Sequence, residues 1–143
     1  MNLLKIFTKK EFLFTESAAK NIAYNAIPKQ QLIILNELVA IPPTLLNSLD
    51  EFVKDGGHLI IIPNENSLLT SYNQLLRNFQ SGQIIEKSNN ALKITTIKEQ
   101  HPVFNSVFSK KVHNFQYPTV NSSYTSTLKG NTILAFENEK PFV

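Results

Sequence analysis

The chain has 143 residues, 42% of them hydrophobic and 17% charged, with a formal net charge of +3; that suits one domain around one core and is too apolar for a disordered tail. The basic excess is nearly all lysine, scattered along the chain, with Arg77 the only arginine, which argues against a nucleic-acid reader because those cluster Arg and Lys on one face and interleave stacking aromatics. The absence of cysteine excludes a disulfide framework, a thiolate metal site and a thiol nucleophile, and no apolar run approaches the roughly 18–20 residues that cross a bilayer.

Met1 to Phe14 mixes Leu3, Leu4, Ile6 and Phe7 with Lys5, Lys9, Lys10 and Glu11, so it lacks the unbroken apolar core of a signal peptide. Leu3 to Phe7 is ambiguous, Glu11 to Ser17 is a candidate strand through Phe12 and Phe14, and Ala18 to Pro28 shows no period.

The clearest unit runs from Gln31 to Phe79. Leu32-Ile33-Ile34-Leu35 is a continuous apolar run, the mark of a strand covered on both faces in a parallel sheet. Pro42-Pro43 suits a first helical turn, and Leu45, Leu46, Leu49, Phe52 and Val53 follow at helical spacing until Gly56-Gly57 stops the helix. His58 to Ile62 is a second apolar run, so the order strand, helix, strand predicts a right-handed βαβ crossover with parallel strands. A second helix carries Leu68, Leu69, Tyr72, Leu75, Leu76 and Phe79 on one stripe, with Asn66 or Ser67 as its cap.

Beyond Gly82 the helical period gives way to short alternating runs at Gln83 to Glu86, Leu92 to Lys98, Val112 to Tyr117, Tyr124 to Leu128 and Ile133 to Phe136, expected as antiparallel strands and hairpins. Glu137 to Lys140 reads as a turn, and Pro141-Phe142-Val143 as a return strand that stops at once, the pattern of a fragment of a longer protein. The expected fold is a single α/β domain over residues 1–143: a βαβ-based sheet with helices on its faces, continued by a strand-rich antiparallel part, together forming one mixed sheet.

Ligands of open α/β sheets sit beyond the carboxyl ends of the strands. Those ends carry Asn36 and Glu37 after the first strand and Asn64, Glu65, Asn66 and Ser67 after the second, the candidate ligand-binding edge. There Glu37 and Glu65 form a candidate carboxylate pair for acid/base or cation chemistry, against the plainer reading that these residues cap helices and solvate loops. His58, His101 and His113 have no metal-ligand spacing, and His101-Pro102 is expected to start a turn that puts Val103 and Phe104 in the core. There is no G-x-S-x-G elbow, P-loop or G-x-G-x-x-G cradle. Neither a metal site nor a cofactor is expected. Phe104, Phe108, Phe115, Tyr117 and Tyr124 read as core at strand spacing, with an exposed recognition patch as the alternative.

From Leu32-Ile33-Ile34-Leu35-Asn36-Glu37 through Ile41-Pro42 to Phe52-Val53-Lys54-Asp55-Gly56-Gly57 and His58 to Pro63, the chain resembles the class I glutamine amidotransferase-like (flavodoxin-like) fold. His101-Pro102-Val103-Phe104, Val107-Phe108, Asn114, Pro118-Thr119-Val120 and Pro141-Phe142 extend a narrower resemblance to the Bacteroidetes membrane proteins described as aerotolerance-operon or N-terminal double-transmembrane proteins. That resemblance implies a soluble domain held at the cell envelope, on the periplasmic side, by membrane segments outside this chain. The enzymes of the superfamily use a cysteine with histidine and glutamate partners, and here Pro63-Asn64-Glu65-Asn66 stands where the nucleophile elbow would be, so no catalytic residue carries over. The reading is a non-catalytic binding or structural domain with envelope proteins as partners. Its alternatives are a sensing module for a sugar or another small polar molecule and, third, a cysteine-independent hydrolase using the two glutamates and a metal.

Overall fold

The computed structural model describes residues 10–104 and 116–142. Helix makes up 28% and strand 25% of it, a mixed content in keeping with the α/β class. The chain gathers into two compact units, residues 1–80 and 81–143.

In the first unit, residues 11–17 form no strand, and Phe12 and Leu13 are exposed. With no covered face on which to pair, alternation alone does not make a strand. The aperiodic stretch that follows forms 3₁₀ turns at Ala19–Asn21 and Tyr24–Lys29, the second burying Ile27. Strand β1 (Leu32–Asn36) lies parallel to β2 (His58–Ile62), with Leu32 opposite His58 and Asn36 opposite Ile62.

Between them runs α1 (Pro43–Lys54), which starts on a proline whose missing N–H costs nothing at this position. Leu45, Leu46, Leu49 and Phe52 form its buried stripe. Its end is a Schellman closure: Gly56 N–H donates to the Val53 carbonyl (3.0 Å) and Gly57 N–H to the Phe52 carbonyl (2.9 Å), with Gly56 at φ 92° supplying the left-handed turn. Helix α2 (Leu69–Asn78) buries Tyr72, Leu75 and Leu76, and Tyr72, Leu49 and Leu75 are the largest fully buried side chains.

Two expectations for this unit are corrected. Asn66 and Ser67 do not cap α2, whose N-cap is Leu68 without a side-chain cap. Residues 64–67 close a turn of their own instead, Ser67 N–H donating to the Asn64 carbonyl at 3.1 Å. Nor are the strands covered on both faces. Ile33, Leu35, Leu59 and Ile61 share one face and none is exposed, whereas on the other face Leu32 is 38% and Ile60 43% accessible. The apolar runs report an affinity for burial, but among the described residues only one face of this two-stranded pair meets a layer that buries it.

In the second unit, β3 (Ile84–Ser88) pairs antiparallel with β6 (Ser123–Ser126), and β4 (Leu92–Ile97) lies between β5 (Thr119–Val120) and β7 (Leu134–Phe136), also antiparallel. The predicted antiparallel pairing is present, but β3 and β4, neighbours in sequence, do not form a hairpin. Among the described residues the strands make three separate sheets, not the one mixed sheet expected. The turn after β7 forms as read: Phe136 N–H donates to the Lys140 carbonyl (2.9 Å) and Phe142 N–H to the Leu134 carbonyl (2.8 Å), and the rings of Phe136 and Phe142 meet edge to face at 5.4 Å. Ile84, Ile94, Ala135 and Phe136 are its buried residues.

A 3₁₀ turn at Pro102–Phe104 follows His101, as the proline suggests. It leaves Val103 60% accessible rather than in the core, because the turn's hydrogen bond from Phe104 N–H to the His101 carbonyl (2.8 Å) directs the chain without supplying a layer over Val103. Leu3 to Phe7, most of the strand expected at Val112 to Tyr117, and Val107, Phe108, His113, Asn114, Phe115 and Val143 lie outside the described residues.

Candidate functional site

The carboxyl ends of β1 and β2 do bring the two predicted loops together. Glu37, in the left-handed region at φ 56°, is exposed, and its N–H donates to the Ile62 carbonyl at 2.8 Å. Asn36, the last residue of β1, is half-buried. The Asn64 side-chain oxygen accepts from Asn66 N–H at 2.8 Å, an Asx turn that leaves Glu65 and Asn66 exposed at its tip. Ser67 Oγ donates to the Leu38 carbonyl at 3.2 Å, which also accepts the Tyr72 hydroxyl. Leu68 N–H then donates to the Val39 carbonyl (2.6 Å), and Ser71 Oγ accepts from Ile41 N–H (3.1 Å).

These bonds sew the loop after β1 to the loop and helix after β2. Ser67 is spent on that seam and the Asn64 side chain on the Asx turn of its own loop, while Glu37, Glu65 and Asn66 stand exposed at the edge. Among the described residues no three His, Asp or Glu side chains gather as a metal site.

A cleft lies at the opposite, amino end of the strands. It holds ≈ 320 Å³ between the 3₁₀ turn at Tyr24–Lys29, the C-terminal turn of α1, Gln30 and Gln31 just before β1, and His58 at the start of β2. Its apolar side includes Tyr24, Ile27 and Phe52, and its polar side includes Gln31, Ser48, Glu51, Asp55 and His58. Ser48 Oγ is turned to the Thr44 carbonyl at 3.2 Å. The side chains of Tyr24, Gln31, Glu51, Asp55 and His58 make no hydrogen bond within the described residues. Among the described residues no lysine or arginine lines the cleft, although the chain carries 14 of them.

Comparison with protein-family models, with curated proteins and with solved structures finds no match.

Sequence reading missed this cleft. Its walls come from two separate segments, 24–31 and 48–58, the first of which begins in the aperiodic stretch 18–28, and Gly56-Gly57-His58 read only as a helix stop and a strand start. The available signal was the pair Glu51 and Asp55, four residues apart at the end of α1, which puts two carboxylates on one helical face where the helix dipole is already negative.

Proposed function

We propose that this chain is a non-catalytic binding domain, related to the class I glutamine amidotransferase-like fold, that a membrane-anchored protein presents at the periplasmic side of the cell envelope to engage a protein partner. The observation that carries the proposal is the uncovered face of β1 and β2. Parallel strands are found almost only where both faces are covered. Here Leu32 and Ile60 stand 38% and 43% accessible on a face that also holds Ile34 and Ile62. An apolar layer contributed by an envelope protein would complete it, and burial of such surface is worth about 25 cal/mol per Å². The polar edge supports the non-catalytic reading, because Ser67 serves the loop seam and Asn64 the turn of its own loop.

Affinity capture from a detergent-solubilised envelope extract tests it, with the native domain, an Ile60→Lys variant and a denatured control as baits. Recovery of the same one or two envelope proteins by the native domain, lost with Ile60→Lys at unchanged circular dichroism, is the expected result. Equal recovery by both folded baits overturns the assignment to this face.

A further inference from the structure

Leu13 stands fully in water, 101% accessible, and Phe12 beside it is 48% accessible, in a stretch that joins neither helix nor strand. Two large apolar side chains at neighbouring positions keep a hydrophobic surface wet, and removing that surface from water favours association. The charge around them is mostly of one sign. Lys9 and Lys10 precede Phe12 and Leu13, and in the sequence Lys5 sits among Leu3, Leu4, Ile6 and Phe7, so residues 1–14 carry three lysines against the single Glu11. Lys10 is exposed with them. None of these residues belongs to the open sheet face or to the polar edge.

This mixture of apolar residues and lysine discriminates between partners. The core of a protein–protein interface is depleted of lysine, because burying an ammonium against an apolar partner costs its hydration. A lipid surface accepts the same mixture. Apolar side chains enter the boundary between headgroups and acyl chains, while lysine stems lie along the apolar layer and keep their ammonium groups among the headgroups. Where those headgroups are anionic, each lysine adds an attraction that salt screens. Such a stretch lies on a bilayer and does not cross it, since Lys5, Lys9, Lys10 and Glu11 interrupt it far short of the roughly 18–20 apolar residues a span requires.

We propose that the stretch from Lys9 to Leu13 contacts the surface of an anionic phospholipid bilayer, Phe12 and Leu13 entering its interface and Lys9 and Lys10 pairing with its headgroups. The contact holds this segment against the membrane whether or not a protein is bound to the sheet face.

The test uses the full 143-residue chain with vesicles of phosphatidylcholine containing phosphatidylglycerol, and with vesicles of phosphatidylcholine alone. The chain has no tryptophan, so Phe12→Trp supplies a single fluorophore at the contact. The expected results with the anionic vesicles are a blue shift, quenching by brominated acyl chains, and co-sedimentation that weakens as salt rises. Phe12→Ser/Leu13→Ser should lower the partition coefficient about tenfold or more, and Lys9→Gln/Lys10→Gln should do so by about tenfold on the anionic vesicles. Absence of sedimentation at about 5 mM anionic lipid, equal binding to both vesicle types, or unchanged partitioning in either folded variant overturns the proposal. So does loss of the native circular dichroism in Phe12→Ser/Leu13→Ser, which would show those side chains packed within the chain. Ile60→Ser should bind vesicles as the native chain does; weakening there would assign the lipid contact to the sheet face instead, so failure here is distinct from failure of the protein-partner reading.

Discussion

Gly57 packs directly against the ring of Phe52. A Cβ at position 57 would fall well inside contact distance of three ring carbons, and Phe52 is only 4% accessible, so the ring has little room to turn aside. The contact completes the Schellman closure of α1, in which the residue after the left-handed glycine meets the side chain of the residue whose carbonyl it bonds. Gly57→Ala should therefore cost about 1–3 kcal/mol as overpacking. Adding Phe52→Leu, which removes the obstructing ring edge, should make the pair less than additive; a denaturant double-mutant cycle reads both, and strict additivity would show that the ring is not the obstacle.

Gly56 and Gly82 separate conformational strain from steric exclusion. Both have left-handed φ, 92° and 94°, but an added Cβ meets nothing within 4 Å at Gly56, whereas at Gly82 it would collide with the backbone carbonyl of Thr127. Gly56→Ala should cost about 1–2 kcal/mol from the dihedral alone. Gly82→Ala should lose more, because Thr127 is tied to Gln83 by its N–H at 2.8 Å and cannot retreat without breaking the ladder beside β3. Urea denaturation of the two variants checks the order.

The sequence order from β1 to α2 was legible because each signal there is local: two apolar runs of four to five residues, a proline at a helix start and glycines at its end. What covered those strands was not legible, since Leu32 and Leu35 are both leucines in one run and only the layers packed on them make one exposed and the other buried. The second unit shows the same limit, as the runs at Gln83 and Leu92 announce strands while their partners, β6 on one side and β5 and β7 on the other, lie about 30–40 residues away, a choice set by tertiary pairing. The loops after β1 and β2 do meet, Glu37 N–H donating to the Ile62 carbonyl. The bond that takes Ser67 into the loop seam ends on the Leu38 carbonyl, shared with Tyr72, and no polar pattern would have singled out either residue.

Tyr72 is fully buried and its hydroxyl donates to the Leu38 carbonyl, the same acceptor that Ser67 Oγ uses. Tyr72→Phe keeps the ring and leaves that carbonyl with the serine alone, so the expected loss is about 0.5–1.5 kcal/mol. Ser67→Ala, at a half-buried site, should cost less. The double variant should lose more than the sum of the two, because only then is the part-buried carbonyl deprived of both donors; chemical denaturation of the three proteins measures the difference.

The Lys54 ammonium donates to the Asp50 carboxylate at 2.7 Å, four residues earlier on α1. That hydrogen bond, with the attraction of the same carboxylate, raises the lysine above its ordinary value. The sign follows: whatever the pair adds to stability is present below the unfolded lysine's value and is lost as pH climbs through the raised folded one. Lys54 is solvent-exposed, so the effect on stability is screened and the direct readout is titration of its side-chain nitrogen by NMR. Asp50→Asn should bring Lys54 back toward the ordinary value; an unchanged midpoint would mean the pair does not persist in solution.

Leu35 and Ile60 lie on opposite faces of the same two-stranded sheet, 5% and 43% accessible. If the isolated chain leaves the second face open, the two positions must respond very differently to truncation. Leu35→Ala empties a packed site and should cost about 2–5 kcal/mol. Ile60→Ala removes side-chain atoms that already meet water and should stay within about 1 kcal/mol. If the open face docks an envelope protein as proposed, the ranking reverses for binding: Ile60→Ala should weaken association, while any Leu35 variant that remains folded should bind as the native chain does. Thermal denaturation with and without the captured partner provides the comparison, and an Ile60→Ala loss as large as that of Leu35→Ala in the isolated chain would show that the face is covered already.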